Sequence, residues 1–354
     1  MSKDRFVAHL DLDAFFCAVE VLKDPGLKGK PIVVGGRPEQ RGVVAAASYP
    51  ARKYGIHSAM PMAEAVRRCS DLIIISHGFK SYKTYSRIIM GVIRSEAEII
   101  QQVGIDEAFF ELTDQIDHWD DGITIAKRIK QKISRDVGLA ASIGISTNKM
   151  IAKIGSDFEK PDGFTVVRPG DELKFLAPLT VQKISGIGKQ TTKRLNEMSI
   201  HKVLDLRNTP EKTLMDRFGK HGIQMSRWSN AIDKRSLTEE RETKSISQER
   251  TFSSDIHHES PLLEKLESMS EKVAQQLAKE ETKARTVTVK IRYADFRTIT
   301  RQQSFQVGIQ TKEEIFQIAT KLFRKYWDHT HPLRLLGVGV SGLTDKESQL
   351  VLDF

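Results

Sequence analysis

The first half of the chain alternates between short apolar runs and longer amphipathic stretches. Short apolar runs rich in β-branched residues are typical of buried strands. They predict strands at residues 6–12, 31–34, 72–75, 102–112 and 140–145. Helical spacing predicts helices at residues 62–69, 82–97 and 125–137. Together these elements predict an α+β domain whose helices cover one face of a sheet.

The second half of the chain has a different pattern. Residues 171–231 are helical and basic, and the charge-dense residues 234–244 indicate an exposed linker. Beyond the linker the pattern predicts a small α/β module. Its helices are expected at residues 262–278 and 312–327, and its strands at residues 286–293, 299–307 and 334–341.

Acidic side chains interrupt two of the apolar runs. Asp11 lies in the first run, with Asp13 directly after it, and Asp106 and Glu107 lie in the fourth. Ionised carboxylates in a buried strand are costly unless they pair with a cation or a metal. If the two strands lie side by side, Asp11, Asp106 and Glu107 form one cluster of oxygen ligands. Such a cluster suits Mg²⁺ and two-metal phosphoryl transfer. The alternative is that the acids face solvent at strand ends.

Charge and composition narrow the class of partner. The 354 residues carry a formal net charge of +9, which favours a polyanionic partner. Residues 168–233 hold 12 basic and 7 acidic side chains. This excess of five positive charges is more than half of the net charge of the whole chain. Cys17 and Cys69 are expected to be buried free thiols in a reducing cytosol. No signal peptide or membrane-spanning run is visible, so we expect a soluble intracellular protein.

Two glycine-containing turns in the basic segment are candidate phosphate-binding elements. Each precedes a helix-like run, and they consist of Gly186, Gly188 and Lys189, and of Gly219, Lys220 and Gly222. Backbone N–H groups at a helix start can approach a phosphate closely. One such turn alone would be ordinary. Two of them resemble paired helix-hairpin-helix elements, which grip the DNA backbone without reading bases.

Three further segments are candidates for binding. Residues 286–293 alternate so that Lys290 and Arg292 face outward, and Arg301 lies on the next strand. Such a surface suits a phosphate backbone; the alternative is an ordinary solvated face.

Residues 49–55 combine Tyr49 with Arg52, which suits the binding of a phosphate. The alternative is that these residues only begin a surface helix. Residues 349–354 are rich in apolar side chains and either finish a strand or bind a partner.

In combination these motifs resemble the Y-family translesion DNA polymerases, and most closely the DinB type. The resemblance runs from residue 6 to residue 354. It is carried by Asp11-Leu12-Asp13 with Phe15-Phe16, Tyr49-Pro50-Ala51-Arg52, Asp106-Glu107-Ala108, Lys160-Pro161, Gly186-Ile187-Gly188 and residues 349–354.

The resemblance implies a right-hand polymerase with separate domains. The implied domains are a palm (1–20 and 81–167), fingers (21–80), a helical thumb (168–233), a linker (234–244), a little finger (245–345) and a clamp-binding tail (346–354). The partners it implies are primer-template DNA, deoxynucleoside triphosphates and a replication sliding clamp. A cytoplasmic monomer is expected.

The resemblance also implies roles for individual residues. Asp11 and Asp106 would bind both of two Mg²⁺ ions, replaceable by Mn²⁺, while Glu107 would bind the catalytic ion and the Leu12 carbonyl the other. Phe16 would be the steric gate that excludes a ribose 2′-hydroxyl, and Phe15 would pack beside the sugar. The triphosphate would be held by Tyr49, Arg52 and Lys160. The clamp would be bound by Gln349, Leu350, Leu352 and Phe354.

Three residues depart from the family pattern. Gly104 stands where the family commonly has Ser, Ala46 where it often has Thr, and Phe109 where it commonly has Tyr. None of them removes a metal ligand, so activity is expected. The affinity for the nucleotide is the property that these three departures could alter.

Two other classes of protein compete with the polymerase interpretation. A non-catalytic DNA-binding or clamp-associated protein would not need the intact trio of Asp11, Asp106 and Glu107. A nucleotidyl cyclase also pairs metal-binding aspartates on adjacent strands, but it has no use for DNA-gripping hairpins or a clamp-binding tail.

Overall fold

The computed structural model of the protein describes residues 3–76, 78–238 and 242–345. Its strands are β1 (Val7–Leu12), β2 (Ile32–Gly35), β3 (Val44–Ala47), β4 (Ile73–Ile75), β5 (Ile99–Gln102), β6 (Glu107–Glu111), β7 (Ala141–Ser146), β8 (Phe164–Val166), β9 (Ser245–Ile256), β10 (Thr282–Tyr293), β11 (Thr298–Ile309) and β12 (Leu333–Asp345).

Most of the predicted helices begin and end within three residues of the predicted positions, but the helix predicted from residue 125 begins six residues earlier, at Trp119. The helices are α1 (Phe15–Lys23), α2 (Tyr49–Arg52), α3 (Met62–Arg68), α4 (Phe79–Arg94), α5 (Trp119–Lys132), α6 (Lys149–Ser156), α7 (Glu172–Leu176), α8 (Lys189–Asn196), α9 (Val203–Asn208), α10 (Glu211–Phe218), α11 (Lys220–Ser229), α12 (Glu259–Lys279) and α13 (Lys312–Tyr326). None of them is both long and apolar enough to cross a membrane, over the residues described.

The described chain divides into two compact units. One comprises the described residues of Met1–Gly35, Val44–Ser58 and Arg68–Glu240, and the other those of Gly36–Val43, Ala59–Arg67 and Arg241–Phe354. Residues of the expected fingers, 21–80, are therefore shared between the two units.

The first unit is built on a five-stranded sheet with the order β5-β6-β1-β7-β8. Its central strand β1 is largely buried on both faces, and Phe6, Ala8 and Leu10 pack into the main core with α4 and α5. The opposite face was expected to be free of helices, but α6 lies on it. Gly144 permits this close approach, since a Cβ there would lie 2.1 Å from the Ala152 carbonyl oxygen. Helices therefore cover both faces.

A second, smaller sheet and a helical segment complete the first unit. The small sheet has the order β3-β2-β4. The helical segment, α7 to α11, has its own core, to which Leu195, Leu206, Leu214 and Met225 contribute. Gly222 is buried where α10 meets α11, because a Cβ there would lie 2.0 Å from the Leu214 carbonyl oxygen.

The start of the expected linker is in contact with the five-stranded sheet. Leu237 packs beside Val7 and Phe109, and the Gln101 side chain donates to Thr238 Oγ1 at 2.9 Å. Residues 234–236 are nevertheless exposed, as a charged linker predicts. The contacts of Leu237 and Thr238 hold the first part of this segment on the sheet.

The second unit contains a four-stranded sheet with the order β11-β10-β12-β9. Helices α12 and α13 cover one face, and Leu266, Val273, Val287 and Phe323 lie in the core. Strand β9 was not predicted, because it is an edge strand with mainly polar side chains. In the same unit Arg41 forms an ion pair with Asp255 at 2.5 Å, which attaches the segment Gly36–Val43 to β9.

Candidate active site

Strand pairing brings the three predicted metal-binding carboxylates to one end of the five-stranded sheet. Strands β1 and β6 are antiparallel, with Asp11 opposite Glu107. The Leu12 N–H donates to the Asp106 carbonyl oxygen at 2.9 Å. The prediction that the two acidic runs lie side by side is thus confirmed. The apolar residues around them are buried, which fixes the register.

Asp11 is bonded to a lysine. The Lys160 ammonium donates to the Asp11 carboxylate and lies 2.9 Å from Asp157 Oδ1. Burial raises the pKa of the Asp11 carboxyl to about 6, although Lys160 acts in the opposite direction. Burial also disfavours the charged Lys160, but the two carboxylates outweigh it and raise the pKa of its ammonium. The Lys160 ammonium is thus the counterion of two carboxylates, those of Asp11 and Asp157.

Glu107 has a lysine and a histidine beside it. Lys153 Nζ lies 2.5 Å and His9 Nε2 3.4 Å from Glu107 Oε2. The His9 contact and the Lys153 ammonium lower the pKa of the Glu107 carboxyl to about 2. Burial lowers the pKa of His9 to about 4, so its imidazole is neutral at pH 7. Its Nδ1 lies 2.7 Å from Ser156 Oγ. Glu107 is therefore an anion at neutral pH.

The three carboxylates lie close together, but their side chains are not placed to coordinate one metal ion between them. Among the residues that the structure describes, no group of three or more His, Cys, Asp or Glu side chains is placed to hold a metal ion. Lys160 and Lys153 instead lie against Asp11 and Glu107. Burial also raises the pKa of Asp106. Burial is the main cause of the raised pKa values of Asp11 and Asp106 because it disfavours their charged forms, and a bound divalent cation would favour those forms. The donor set therefore fits Mg²⁺ chemically.

The two candidate sugar-contacting rings lie at the start of α1. Ala14 precedes the helix with a φ of 47°. Phe15 is buried, whereas Phe16 is half-buried and stacks on Tyr82, with ring centroids 4.3 Å apart. This stack defines the orientation of the Phe16 ring.

Tyr49 and Arg52 lie together on the short helix α2. Ser48 caps the helix by accepting from the Ala51 N–H at 3.4 Å. The Arg52 guanidinium lies 4.6 Å from the centre of the Tyr49 ring, and its Nε donates to the Ala47 carbonyl oxygen at 3.0 Å. The sequence motif thus corresponds to one packed pair of side chains.

No role was predicted from the sequence for three residues of the site: Asp13, Lys153 and His9. Asp13 is only 5% exposed and accepts a hydrogen bond from the Tyr49 hydroxyl at 3.0 Å. Its place in an apolar run, two residues after Asp11, could have revealed it. Lys153 and His9 carry no comparable signal, because the contact of Lys153 with Glu107 depends on how α6 lies on the sheet and that of His9 depends on the register of β1 and β6.

The three departures from the family pattern have structural correlates. At Gly104 a Cβ would lie 2.9 Å from Glu107 Cγ, so glycine gives that side chain room. Phe109 packs against His9, with centroids 4.4 Å apart. Ala46 lies half-buried in β3. Phe109 therefore belongs to the packing around His9.

The glycines of the two turns in the helical segment differ in exposure and in packing. Gly188, Lys189, Gly219 and Lys220 are exposed at the starts of α8 and α11. Gly186 has a φ of 108° and touches the Trp228 ring, since a Cβ there would lie 2.6 Å from it. The buried Gly222 has a helix-packing role, which differs from the expected approach to a phosphate.

The four-stranded sheet separates the predicted basic residues. Lys290 and Arg292 share the face not covered by helices with Thr300 and Thr298, their partners on β11. Arg301 is paired with the core residue Val289 and its guanidinium lies 5.0 Å from the Tyr326 ring centre. The prediction that Arg301 shares that face is therefore wrong, because a one-residue offset on a strand reverses the face. The predicted clamp-binding residues, 349–354, lie outside the described residues.

Comparisons with known proteins agree with this geometry. The model of the impB/mucB/samB family matches residues 10–157, and that of its C-terminal domain matches residues 243–353. Among curated proteins, DNA polymerase IV of Streptococcus pyogenes serotype M3 is 38% identical over 352 residues, which are 99% of this chain and 96% of that protein. The serotype M1 protein is also 38% identical, over 99% and 97% of the two chains.

Solved structures give the same result. A Y-family DNA polymerase chimera matches with a TM-score of 0.87 and 26% identity, over 96% of this chain and 99% of the other. DinB from Sulfolobus solfataricus has a TM-score of 0.65 and 27% identity, over 95% and 98%. An insertion ternary complex of Dbh DNA polymerase has a TM-score of 0.67 and 27% identity, over 96% and 99%.

The mixed fold with carboxylates on paired strands is that of a Y-family DNA polymerase. The chain belongs to the impB/mucB/samB family, and within it to the DinB type. It is a DNA-directed DNA polymerase of low fidelity that acts in translesion synthesis, which excludes the cyclase and the non-catalytic alternatives. As a DNA polymerase it depends on divalent metal ions.

Proposed function

We propose that this polymerase extends a primer by two-metal phosphoryl transfer at Asp11, Asp106 and Glu107. The observation that carries the proposal is the pairing of Asp11 with Glu107 across β1 and β6, beside Asp106. Asp11 and Asp106 would hold two Mg²⁺ ions, Glu107 would hold the catalytic ion, and the Leu12 carbonyl would contact the nucleotide-side ion. Mn²⁺ can replace Mg²⁺. When bound, the ions acidify the primer 3′-hydroxyl and neutralise the triphosphate.

The nucleotide is bound by side chains on three elements. Arg52 and Lys160 supply the charge that a triphosphate requires, with Tyr49 beside them. Phe16 excludes a ribose 2′-hydroxyl, and Phe15 packs beside the sugar. The fixed stack of Phe16 on Tyr82 supports the role as a gate, because a mobile ring could move aside.

Primer-template DNA and deoxynucleoside triphosphates are the substrates. The relative Dbh DNA polymerase has been solved as an insertion ternary complex. In this chain the exposed Gly188, Lys189, Gly219 and Lys220 bind the DNA backbone, as do Lys290 and Arg292 on the open face of the four-stranded sheet. Contacts of this kind read no bases, so binding is independent of sequence.

The domains and the remaining partner are assigned by likeness to the family. The palm comprises residues 1–20 and 81–167, the fingers 21–80, the thumb 168–233, the linker 234–244 and the little finger 245–345. A sliding clamp binds residues 346–354 through Gln349, Leu350, Leu352 and Phe354, and the apolar side chains of Leu352 and Phe354 support that role as its anchors. The protein acts as a cytoplasmic monomer.

Primer extension under defined metal conditions tests the proposal. We expect addition of single deoxynucleotides that needs template, primer and Mg²⁺, stops with a chelator and resumes when Mn²⁺ is added. With excess unlabelled DNA as a trap, each binding event should add few nucleotides, because the enzyme is distributive. Extension that survives the chelator, or that needs no template, would overturn the proposal.

A further inference from the structure

A single indole ring contacts both glycine turns of the helical segment. Trp228 lies near the end of α11 and is 8% exposed. On the first turn, Gly186 approaches the ring so closely that a Cβ there would lie 2.6 Å from Trp228 Cη2. On the second turn, the His221 ring meets the indole edge-on, with ring centroids 5.9 Å apart and planes at 82°. One buried side chain therefore connects the two turns.

Packing alone places this indole. Trp228 Nε1 is buried and has no hydrogen-bond partner among the residues that the structure describes. An unpaired N–H in a core costs free energy, so the contacts of the ring must outweigh that cost. Gly186 has a φ of 108° and no side chain, which leaves room for the six-membered part of the indole. The first turn thus accommodates a ring that the helix of the second turn carries.

A second side chain joins the same elements. Arg194 lies on α8, the helix that follows the first turn, and its guanidinium is 4.5 Å from the centre of the Phe218 ring. Its Nη2 also donates to the Arg217 carbonyl oxygen at 2.6 Å. Arg217 and Phe218 end α10, directly before the second turn. Trp228 and Arg194 therefore attach the two turns to each other at two places.

We propose that Trp228 is a positioning residue for DNA binding, which fixes the spacing of the two turns so that both contact the DNA backbone in one binding event. This inference rests on the proposed function, in which Lys189 and Lys220 bind that backbone. On a rigid body the second contact forms at a high effective concentration once the first has formed. If the spacing varies, part of that gain is lost in ordering the second turn.

The salt dependence of DNA binding tests this role. We expect Trp228→Leu to raise the Kd for primer-template DNA by about tenfold. The salt slope should flatten by about one unit, because the two turns no longer contact phosphates together. The KM for DNA should rise in parallel, while kcat at saturating DNA should change little, since the carboxylates that act on the primer are unaltered. Trp228→Phe keeps a ring beside Gly186 and should recover most of the affinity.

A double-mutant comparison separates coupling of the turns from a general loss of structure. In the wild type, Lys220→Ala should weaken DNA binding and flatten the salt slope by about one unit. In Trp228→Leu the same change should have a much smaller effect, because the turns already bind one at a time. An effect of Lys220→Ala that is as large in Trp228→Leu as in the wild type would show that the turns act independently, and would overturn the inference.

Trp119→Leu is the matched control for the loss of an indole. Trp119 begins α5 and packs against Phe6, with ring centroids 4.8 Å apart. Its replacement should lower the melting temperature but leave the salt slope native, and a flattened slope would attribute the effect of Trp228→Leu to lost stability. If Trp228→Leu does not fold, His221→Ala decides the question, because it removes one ring contact and leaves the indole in place. It should flatten the slope in the same direction, and a native slope would overturn the inference.

The same measurements separate this inference from the proposed function. If Lys189→Ala and Lys220→Ala both bind DNA like the wild type at every salt concentration, the turns contact no phosphate. The proposed DNA-binding role of the turns then fails, and this inference fails with it. If both lysine variants flatten the slope while Trp228→Leu keeps the native slope, only the positioning role of Trp228 is refuted.

Discussion

The Lys160 ammonium is hydrogen-bonded to the Asp11 carboxylate, so two residues proposed to bind different ligands are bonded to each other. Lys153 contacts Glu107 in the same way. Without metal, each of these carboxylates has a lysine as its counterion. Loading the site must replace these contacts, which would release Lys160 for the triphosphate.

Lys160→Ala should therefore change metal and nucleotide binding in opposite directions. Without nucleotide, Mn²⁺ should bind the variant several-fold more tightly, because no ammonium competes for Asp11. The KM for deoxynucleotide should rise, since a triphosphate ligand is lost. Electron paramagnetic resonance of free Mn²⁺ gives the first quantity, and primer extension gives the second. Lys127→Ala, a change on the surface of α5, should alter neither. Weaker Mn²⁺ binding to Lys160→Ala would show that the lysine does not compete with the metal.

Phe16→Ala should admit ribonucleotides. If Phe16 is the proposed gate, its ring excludes a 2′-hydroxyl that a methyl group would admit, so ribonucleotide incorporation should rise by on the order of a hundredfold. Use of deoxynucleotides should fall far less. Competition assays with the two nucleotide types measure the ratio. Tyr82→Phe keeps the ring beneath Phe16 and loses only a hydroxyl bonded to Glu20, so its discrimination should stay native. If Phe16→Ala discriminates as well as the wild type, the gate lies elsewhere.

Glu249→Gln should strengthen DNA binding. Lys290, Gly337 and Glu249 lie opposite one another on adjacent strands, and because Gly337 has no side chain the lysine reaches Glu249 at 2.7 Å. Removing the acid frees Lys290 for a phosphate, so affinity should rise several-fold and the salt dependence should steepen. Lys290→Ala should weaken binding and flatten the slope by about one unit.

Two controls accompany this measurement. Glu313→Gln removes an exposed acid on α13, and Arg301→Ala removes a cation from the helix-covered face; neither should change the salt dependence. If Glu249→Gln binds DNA like the wild type at every salt concentration, Lys290 contacts no phosphate.

Deleting residues 349–354 should eliminate stimulation by the sliding clamp. Leu352 and Phe354 are the proposed anchors, and a short segment that buries two apolar side chains in a pocket loses its affinity without them. The melting temperature and synthesis without the clamp should stay unchanged. A Leu352→Ala, Phe354→Ala variant is the matched control for deletion of the whole segment. A truncated enzyme that melts earlier, or that the clamp still stimulates, would assign these residues to the fold.

Periodicity predicted much of the fold because most elements have one apolar face. The stripe of Ile125, Ile129 and Ile133 and the alternation in β10 both correspond to observed elements with the expected faces buried. Strand β9 was not predicted, because an edge strand has few buried side chains and therefore no apolar pattern. The contact of α6 with the sheet depends on Gly144, whose role only the packed structure reveals.

The candidate site was predictable to a similar extent. Asp11, Asp106 and Glu107 could be grouped because carboxylates in apolar runs are unusual. The contacts of Lys153 with Glu107 and of Asp13 with Tyr49 join residues that are 46 and 36 positions apart. No local pattern encodes pairings of that kind, since they arise from the way distant elements pack.

The central claim is that Asp106 and Glu107 perform the chemistry while other parts of the chain grip DNA. The most direct test measures primer extension and gel-shift affinity together for Asp106→Asn, with Asp114→Asn as an exposed control. We expect extension by Asp106→Asn to fall to background while DNA affinity stays within about twofold of the wild type, because the DNA-gripping residues are unaltered. Extension at the wild-type rate by Asp106→Asn would contradict the account.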